Sequence, residues 1–394
     1  MSLNQPLFLH LVERLEGFLG KLPASIQKPI LHELTPLKEL FLKQRSPRFL
    51  LTGSHRLPVQ EVIASAFAAA QPGDLRNVLM EVFRWHNVEV GIHGAVNVLD
   101  ARGADAPAMR MINEELQREP ADVILHLVDG NSARPVLSRD IEHLVKLAAL
   151  TATPAAKIVG LSFVAAERTH SQTAGERPSA QAKLQTTLSE NVEIRDRLLG
   201  VLELPLADTA TAGNTTHPAA AQLMSLLAQE MPNEARVEMI RISRDRAAQR
   251  QIAQTLVKST SAVCAAIGAQ PIPLADLPIL TTLQLAMVSG IMYISGRERS
   301  LRAATEFVAA LGVNVGAGMV LREGTRAVLK FFPGWGNVVC GMVAGAGTYA
   351  LGNAAIVYFL EGVTLRDARR TYLASRRKRR SPKLLKGVAD EQQP

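Results

Sequence analysis

The first residues whose types and spacing could do chemistry are Phe49-Leu50-Leu51-Thr52-Gly53. A short apolar strand ending in glycine, then a turn and a helix, is the setting in which backbone N–H groups cradle a phosphate. The working form is G-x-x-x-x-G-K-[ST]. Its glycines aim N–H groups at the phosphates, its lysine neutralises them, and its hydroxyl holds Mg²⁺. In this register Pro58 stands at the second glycine, Val59 at the lysine and Gln60 at the hydroxyl. Pro58 also has no N–H to offer. Arg56 is left as a single loop cation, a residue that solvation explains equally well.

The remaining reactive side chains are scattered. His55, His86 and His93 form no i, i+4 pair and have no cysteine nearby, so a metal site is not expected. Cys264 and Cys340 are too few for a disulfide framework. No G-x-S-x-G elbow marks a hydrolase. Aromatic residues make up only 4%, which argues against stacking platforms for nucleic acid.

The elements that would position these residues follow from hydrophobic period. Phe8, Leu11, Val12, Leu15 and Leu19 recur at helical spacing, and a second helix over 35–43 follows Pro23 and the Thr35-Pro36 cap. From residue 48 short apolar runs alternate with helical stretches. Strands are expected at 48–52, 88–92, 95–99, 123–128, 157–161 and 201–205, with Gly91 and Gly94 framing a hairpin. Helices are expected at 59–70, 106–118 and 139–150. The polar stretch 168–190 reads as a loop, and 208–218 as a domain boundary. Beyond it the pattern is helical. Asn233 can cap one long helix through Ile267, Pro271-Ile-Pro273 stops it, and apolar segments follow at 277–294, 307–321 and 338–360.

Further motifs give this order a meaning. Asp100-Ala101-Arg102-Gly103, after a strand, is similar to the DxxG motif of GTPases, and Val123-Ile-Leu-His-Leu-Val-Asp129 to the strand that follows it. Leu34-Thr-Pro-Leu-Lys-Glu-Leu-Phe41 resembles the helix leading into the G domain of some Era-like bacterial GTPases. The C-terminal quarter resembles the helical domain joined to those GTPases, domain of unknown function 697. The residues that carry this are Pro273-Leu-Ala-Asp-Leu-Pro278, Leu283-Gln284, Gly312-Val-Asn-Val-Gly-Ala-Gly318, Leu321-Arg-Glu323, Pro333-Gly-Trp-Gly336, Gly347-Thr-Tyr-Ala350 and 354–359. The resemblance implies an α/β P-loop GTPase-like domain, a mostly parallel six-stranded sheet with helices on both faces, then an all-α hydrophobic helical domain. The expected division is a helical segment at 1–47, the GTPase-like domain at 48–207, a linker at 208–232, the helical domain at 233–365 and a basic tail at 366–394.

The family's cofactors would be GTP and Mg²⁺, but the residues that hold them are missing. Between Phe67 and Leu99 there is no Thr or Ser for the switch position, and from Ile141 to Arg195 no Asp for the guanine-reading [NT]KxD. Gly160-Leu-Ser-Phe163 stands roughly where that motif belongs. Phosphoryl transfer depends on positioning and electrostatics. With lysine, metal hydroxyls and guanine carboxylate all absent, the expectation is a degenerate pseudo-GTPase with no catalytic residue and no cofactor. Gly53, Asp100 and Gly103 would be its vestigial nucleotide-binding positions.

The charge is as uneven as the chemistry. Between Arg366 and Lys386 ten Lys/Arg face one acid, Asp367, so that segment holds more than the whole net charge of +8. Such a tail suits an anionic membrane surface. The 23 residues of 338–360 carry no charge and meet the length of a membrane span. Gly341-x-x-x-Gly345 and Gly312-x-x-x-Gly316 are small-residue spacings that let helices approach closely. A hairpin span would export Arg322, Arg326 and Lys330, so peripheral insertion fits the charges better. The expected membrane or interaction residues are Trp335, Gly341, Gly345, Arg376, Arg377, Lys378, Arg379 and Arg380. A soluble, glycine-rich bundle is the competing reading.

Met1 to Glu16 lacks the basic start and unbroken apolar run of a secretory signal, so a cytoplasmic protein on the inner face of a membrane is expected. The function expected is a non-catalytic GTPase-like scaffold with an anionic membrane surface and an unidentified protein as partners. The alternatives are an atypical GTP-binding switch and a soluble interaction module whose tail binds nucleic acid.

Overall fold

The computed structural model describes residues 44–67, 83–90, 94–151, 155–165, 179–206, 217–269, 277–312 and 335–380. The expected N-terminal helices, His93, Gly91, residues 208–216 of the expected linker 208–232, Gly316 and residues 381–394 lie outside them. The chain divides into two compact units, with the break between Asp245 and Arg246.

The first unit, from Gln44 to Asp245, is built on one six-stranded sheet. Its strands are β1 (Arg48–Gly53), β2 (Trp85–Glu89), β3 (Ala95–Asp100), β4 (Val123–Asp129), β5 (Lys157–Ala165) and β6 (Leu198–Leu206). They lie in the order β2-β3-β1-β4-β5-β6. β2 and β3 pair antiparallel, as the expected hairpin; β3, β1, β4, β5 and β6 are parallel neighbours. β2 starts at Trp85, three residues before its expected start, because Trp85 pairs with Leu99 and its indole N–H donates to the Glu119 carbonyl at 3.1 Å. That polar, half-exposed strand has no apolar run to reveal it.

Successive strand residues point to opposite faces, so the central strands are apolar on both. Leu50, Leu99, Ile124 and Ile158 share one face with helices α2 (Ala106–Arg118), α3 (Ser138–Leu150) and α4 (Ala180–Glu190). α4 falls in the stretch read as a loop. Its first turn is capped by Ser179, whose Oγ accepts from the Ala182 N–H at 3.1 Å. Leu184 and Leu188 are its only buried side chains, one turn apart, and two apolar contacts suffice to hold an otherwise polar helix. On the other face Phe49 meets Phe67 of α1 (Val59–Phe67), ring centroids 5.0 Å apart.

Two further helices complete this unit, α5 (Pro218–Glu230), which packs on α1 and β6, and α6 (Asn233–Ser243). α5 thus stands inside the expected linker 208–232 and α6 inside the expected helical domain, and the division falls after Asp245, not at 207 or 233. The expected single helix from Asn233 to Ile267 is two. Arg244 takes a left-handed conformation, φ 54°, and ends α6, while Ser243 Oγ accepts from the Asp245 N–H at 3.2 Å. The guanidinium of Arg45 grips Asp122 at 2.6 and 2.7 Å and reaches Glu234 of α6 at 3.5 Å.

The second unit is helical over its described residues. It holds α7 (Arg246–Gly268), α8 (Leu277–Ile294), α9 (Leu301–Gly312), α10 (Trp335–Phe359) and α11 (Leu365–Arg380). α8 matches the expected segment 277–294. Phe307 lies inside α9, and residues 313–321 fall outside the described chain. The segment read as a basic tail is helical through Arg380 and packs on α10, with Ala368 fully buried. Thr364 caps it, Oγ1 accepting from the Asp367 N–H at 3.3 Å.

Candidate functional site

Parallel sheets of this kind bind ligands in the crevice outside the carboxyl ends of strands where the chain departs to opposite faces. Here that place is the end of β1, with β3 and β4 beside it. Leu51 pairs with Asp100, so the loops after Gly53 and after Asp100 lie side by side. An ideal Cβ on Gly103 would lie 3.7 Å from the His55 Cβ. The structure thus brings Gly53, Asp100 and Gly103 together, as expected of neighbouring strand ends.

What fills the crevice is Arg102. Its Nη1 donates to the carbonyls of Ser54 at 3.0 Å and Leu57 at 2.7 Å. Its Nε and Nη2 form a fork with the Asp100 carboxylate at 2.8 and 2.9 Å, and its backbone N–H donates to the same carboxylate at 3.1 Å. The guanidinium side chain is 4% exposed and Asp100 is 24% exposed. A phosphate loop turns N–H groups inward. This loop turns two carbonyls inward, onto a cation that the chain supplies itself. The first N–H after Gly53 is also engaged, since Ser54 donates to the Leu127 carbonyl at 2.8 Å.

Gly53 has its own structural reason. Its φ is +96°, and a Cβ there would run into the Leu127 carbonyl oxygen. The close approach of β1 to β4 therefore requires glycine with or without a nucleotide. Asp100, which in a working site would help hold Mg²⁺, spends both carboxylate oxygens on Arg102. Gly160, Leu161, Ser162 and Phe163 all lie buried inside β5, not in a loop that could read a base.

His55 is exposed and His86 lies on β2. The histidine that the sequence reading passed over is His126, on β4 within the run Val-Ile-Leu-His-Leu-Val, fully buried. Burial, with His143 nearby, lowers its pKa from 6.5 to about 4, so the ring is neutral at physiological pH. A polar residue in an otherwise unbroken apolar strand was the signal available.

The residues expected at a membrane or partner are placed differently from one another. Gly341 and Gly345 face α7 within the same unit: a Cβ on Gly341 would lie 2.7 Å from the Ala265 carbonyl, and one on Gly345 2.8 Å from the Ala265 Cβ. Gly352 likewise admits Val257. These glycines let two helices of this chain touch along their backbones. Gln284 and Thr348, from two separate motifs of the C-terminal resemblance, meet by a hydrogen bond of 2.9 Å between α8 and α10. Among the described residues one helix is long and apolar enough to cross a membrane, over Gly341–Phe359; its mean hydropathy is 1.2, and 56% of it is buried inside the protein. The side chains of Trp335 and of Arg376, Arg377, Lys378, Arg379 and Arg380 lie outside the described structure; their backbone is helical. Nearer the start of α11, Leu365 and Leu373 are exposed beside Arg366 and Arg370.

No protein-family model and no curated protein matches the chain. Among solved structures it is similar to a chain from an oligomerised bacterial dynamin pair, described as a mechanism for the long-range sensing and tethering of membranes. Identity is 10% and the TM-score 0.28, over 99% of this chain and 79% of that one. The likeness to Era-like GTPases and domain of unknown function 697 therefore rests on the motifs quoted above.

Proposed function

We propose that this protein is a non-catalytic, GTPase-like scaffold whose helical region attaches it to an anionic membrane surface. The observation that carries the first half is the Arg102 clamp. A nucleotide would have to place phosphates where a buried guanidinium already holds Asp100 and two loop carbonyls. It would do so without the lysine and hydroxyl that Val59 and Gln60 replace. The second half is supported by the apolar α10 and by α11, which displays leucines and arginines together. Such helices lie in the interface by combining apolar burial with charge attraction.

The test is equilibrium binding of fluorescent GTP and GDP to the purified full chain, with and without EDTA. The expected outcome is no Mg²⁺-dependent binding at micromolar nucleotide. Affinity in that range, weakened by EDTA, refutes the non-catalytic reading and favours an atypical switch. Flotation with anionic liposomes at low salt tests the membrane half. A protein that ignores them holds its helices as a closed bundle.

A further inference from the structure

Thr52, His126 and Ser162 are each fully buried. Thr52 and His126 are direct partners across β1 and β4, and Ser162 stands opposite Val128, one step along the same face. Parallel neighbours are about 4.8 Å apart, so three adjacent strands carry these side chains within one patch. Among the described residues no hydrogen-bond partner meets Thr52 Oγ1, either ring nitrogen of His126, or Ser162 Oγ. Four unpaired polar atoms in one patch is a concentration that native interiors avoid, since nearly every buried polar group is bonded.

The chemistry of the set defines its ligand. A neutral imidazole needs one acceptor for its N–H and one donor for its other nitrogen; each hydroxyl can serve either way. No carboxylate or thiolate joins the patch, and among the described residues no group of three His, Cys, Asp or Glu could hold a metal ion. A neutral ring offers an anion no charge. Full burial gives a substrate no entry, so Ser162 and His126 are not a nucleophile and base. What fits is small, uncharged, and both donor and acceptor. Gly130 closes one end of the patch, since a Cβ there would lie 2.8 Å from both Ser162 Oγ and Val164 Cγ1, closer than side chains tolerate.

We infer that Thr52, His126 and Ser162 form an internal water site beneath the loop that follows β1, in which ordered water bridges the imidazole to the two hydroxyls. Buried waters typically make about three such bonds and replace the partners that packing does not supply. This site is independent of the nucleotide reading.

The test uses the full chain labelled with ¹⁵N-histidine. Water-selective NMR should show a neutral His126 ring whose protected N–H exchanges magnetisation with a long-lived water. In Thr52→Val/Ser162→Ala that cross-peak should disappear, while Thr52→Ser should keep it. His126→Leu should lower the melting temperature less in the Val/Ala background than in wild type, because the three groups act through shared water. A folded wild type with no water contact at the ring overturns the inference. So does a cross-peak unchanged in the Val/Ala variant. If a variant does not fold, the wild-type spectrum alone decides.

Discussion

Replacing Arg102 by methionine keeps the length and apolar stem of the side chain and removes its five donors. Two hydrogen bonds from a charged donor to the Ser54 and Leu57 carbonyls are lost, along with the fork to Asp100. Asp100 is 24% exposed and keeps the Arg102 backbone N–H, so water can repair much of its loss. The Leu57 carbonyl has no such recourse, because its bond to Arg102 is buried. A hydrogen bond to a charged group contributes about 1.5–3 kcal/mol, so the two carbonyls together cost about 3–6 kcal/mol. For a unit of this size each kcal/mol moves the midpoint by about 2–4 °C, which makes the expected fall on the order of 10 °C. Because the chain has two units, a bulk melting curve would mix transitions. Trp85 on β2 is the reporter, read by fluorescence in a Trp335→Phe background. Arg102→Lys should fall between, since an ammonium cannot span both carbonyls and the carboxylate. A midpoint unchanged within about 2 °C in Arg102→Met refutes the clamp. Nucleotide binding should not appear in the variant either, since Val59 and Gln60 remain.

Other outcomes follow from other parts of the structure. Burial lowers the His126 pKa to about 4 from 6.5, so its contribution is complete above pH 6.5 and is lost as pH falls towards 4. The loss is about 3 kcal/mol at 1.36 kcal/mol per unit. His143 is also lowered by burial, with Asp140 opposing and Lys146 and Arg139 adding, so it tilts the profile the same way. The readout is therefore the difference between wild type and His126→Leu in denaturant titrations from pH 7 to 4, and parallel profiles would refute it. Gly345→Leu should force α10 from α7 and destabilise the helical unit by about 1–3 kcal/mol, an overpacking cost visible by circular dichroism; an unchanged midpoint would place α10 elsewhere. Neutralising Arg376, Arg377, Lys378, Arg379 and Arg380 to glutamine should weaken binding to anionic vesicles by about 1 kcal/mol for each residue that reaches the surface, an effect that salt erases within a Debye length of about 8–10 Å. Sedimentation with vesicles at two salt concentrations reads it, and salt-independent binding equal to wild type would refute a role for the charges.

The strands of the sheet were legible because burial on both faces forces continuous apolar runs such as Phe49-Leu50-Leu51 and Val123-Ile-Leu. The helix Ala106–Arg118 was legible to the residue because Asp105 caps it, its Oδ1 accepting from the Ala108 N–H at 2.9 Å, and Pro107 follows. What escaped was held by contacts remote in sequence. β2 depends on a ladder to β3 and one indole bond, α4 on two leucines, and the break after α6 on a single left-handed arginine. The basic segment read as a tail is a helix because it packs on α10, and its charges gave no sign of that partner.

The crevice shows the same limit at the level of chemistry. From spacing alone Asp100-Ala-Arg-Gly103 fits DxxG in full, and Arg102 occupies a position the motif leaves unspecified. Only the fold brings residue 102 within 3.0 Å of residues 54 and 57, which lie more than forty positions away. With valine and glutamine at 59 and 60, a nucleotide would find neither a lysine nor a hydroxyl at those positions. The clamp adds a cost to its arrival, because phosphates would meet inward carbonyls and an aspartate whose cation had been drawn off. A loop that had merely lost its ligands would be restored by returning glycine, lysine and serine at 58, 59 and 60. A loop rebuilt around an internal cation would not, because Arg102 would still fill the crevice. Restoring those three residues should therefore leave GTP binding absent, and adding Arg102→Ala to them should be the step on which any affinity depends. Micromolar GTP binding by the triple variant alone would show that the arginine is a passenger in the loop and not its centre.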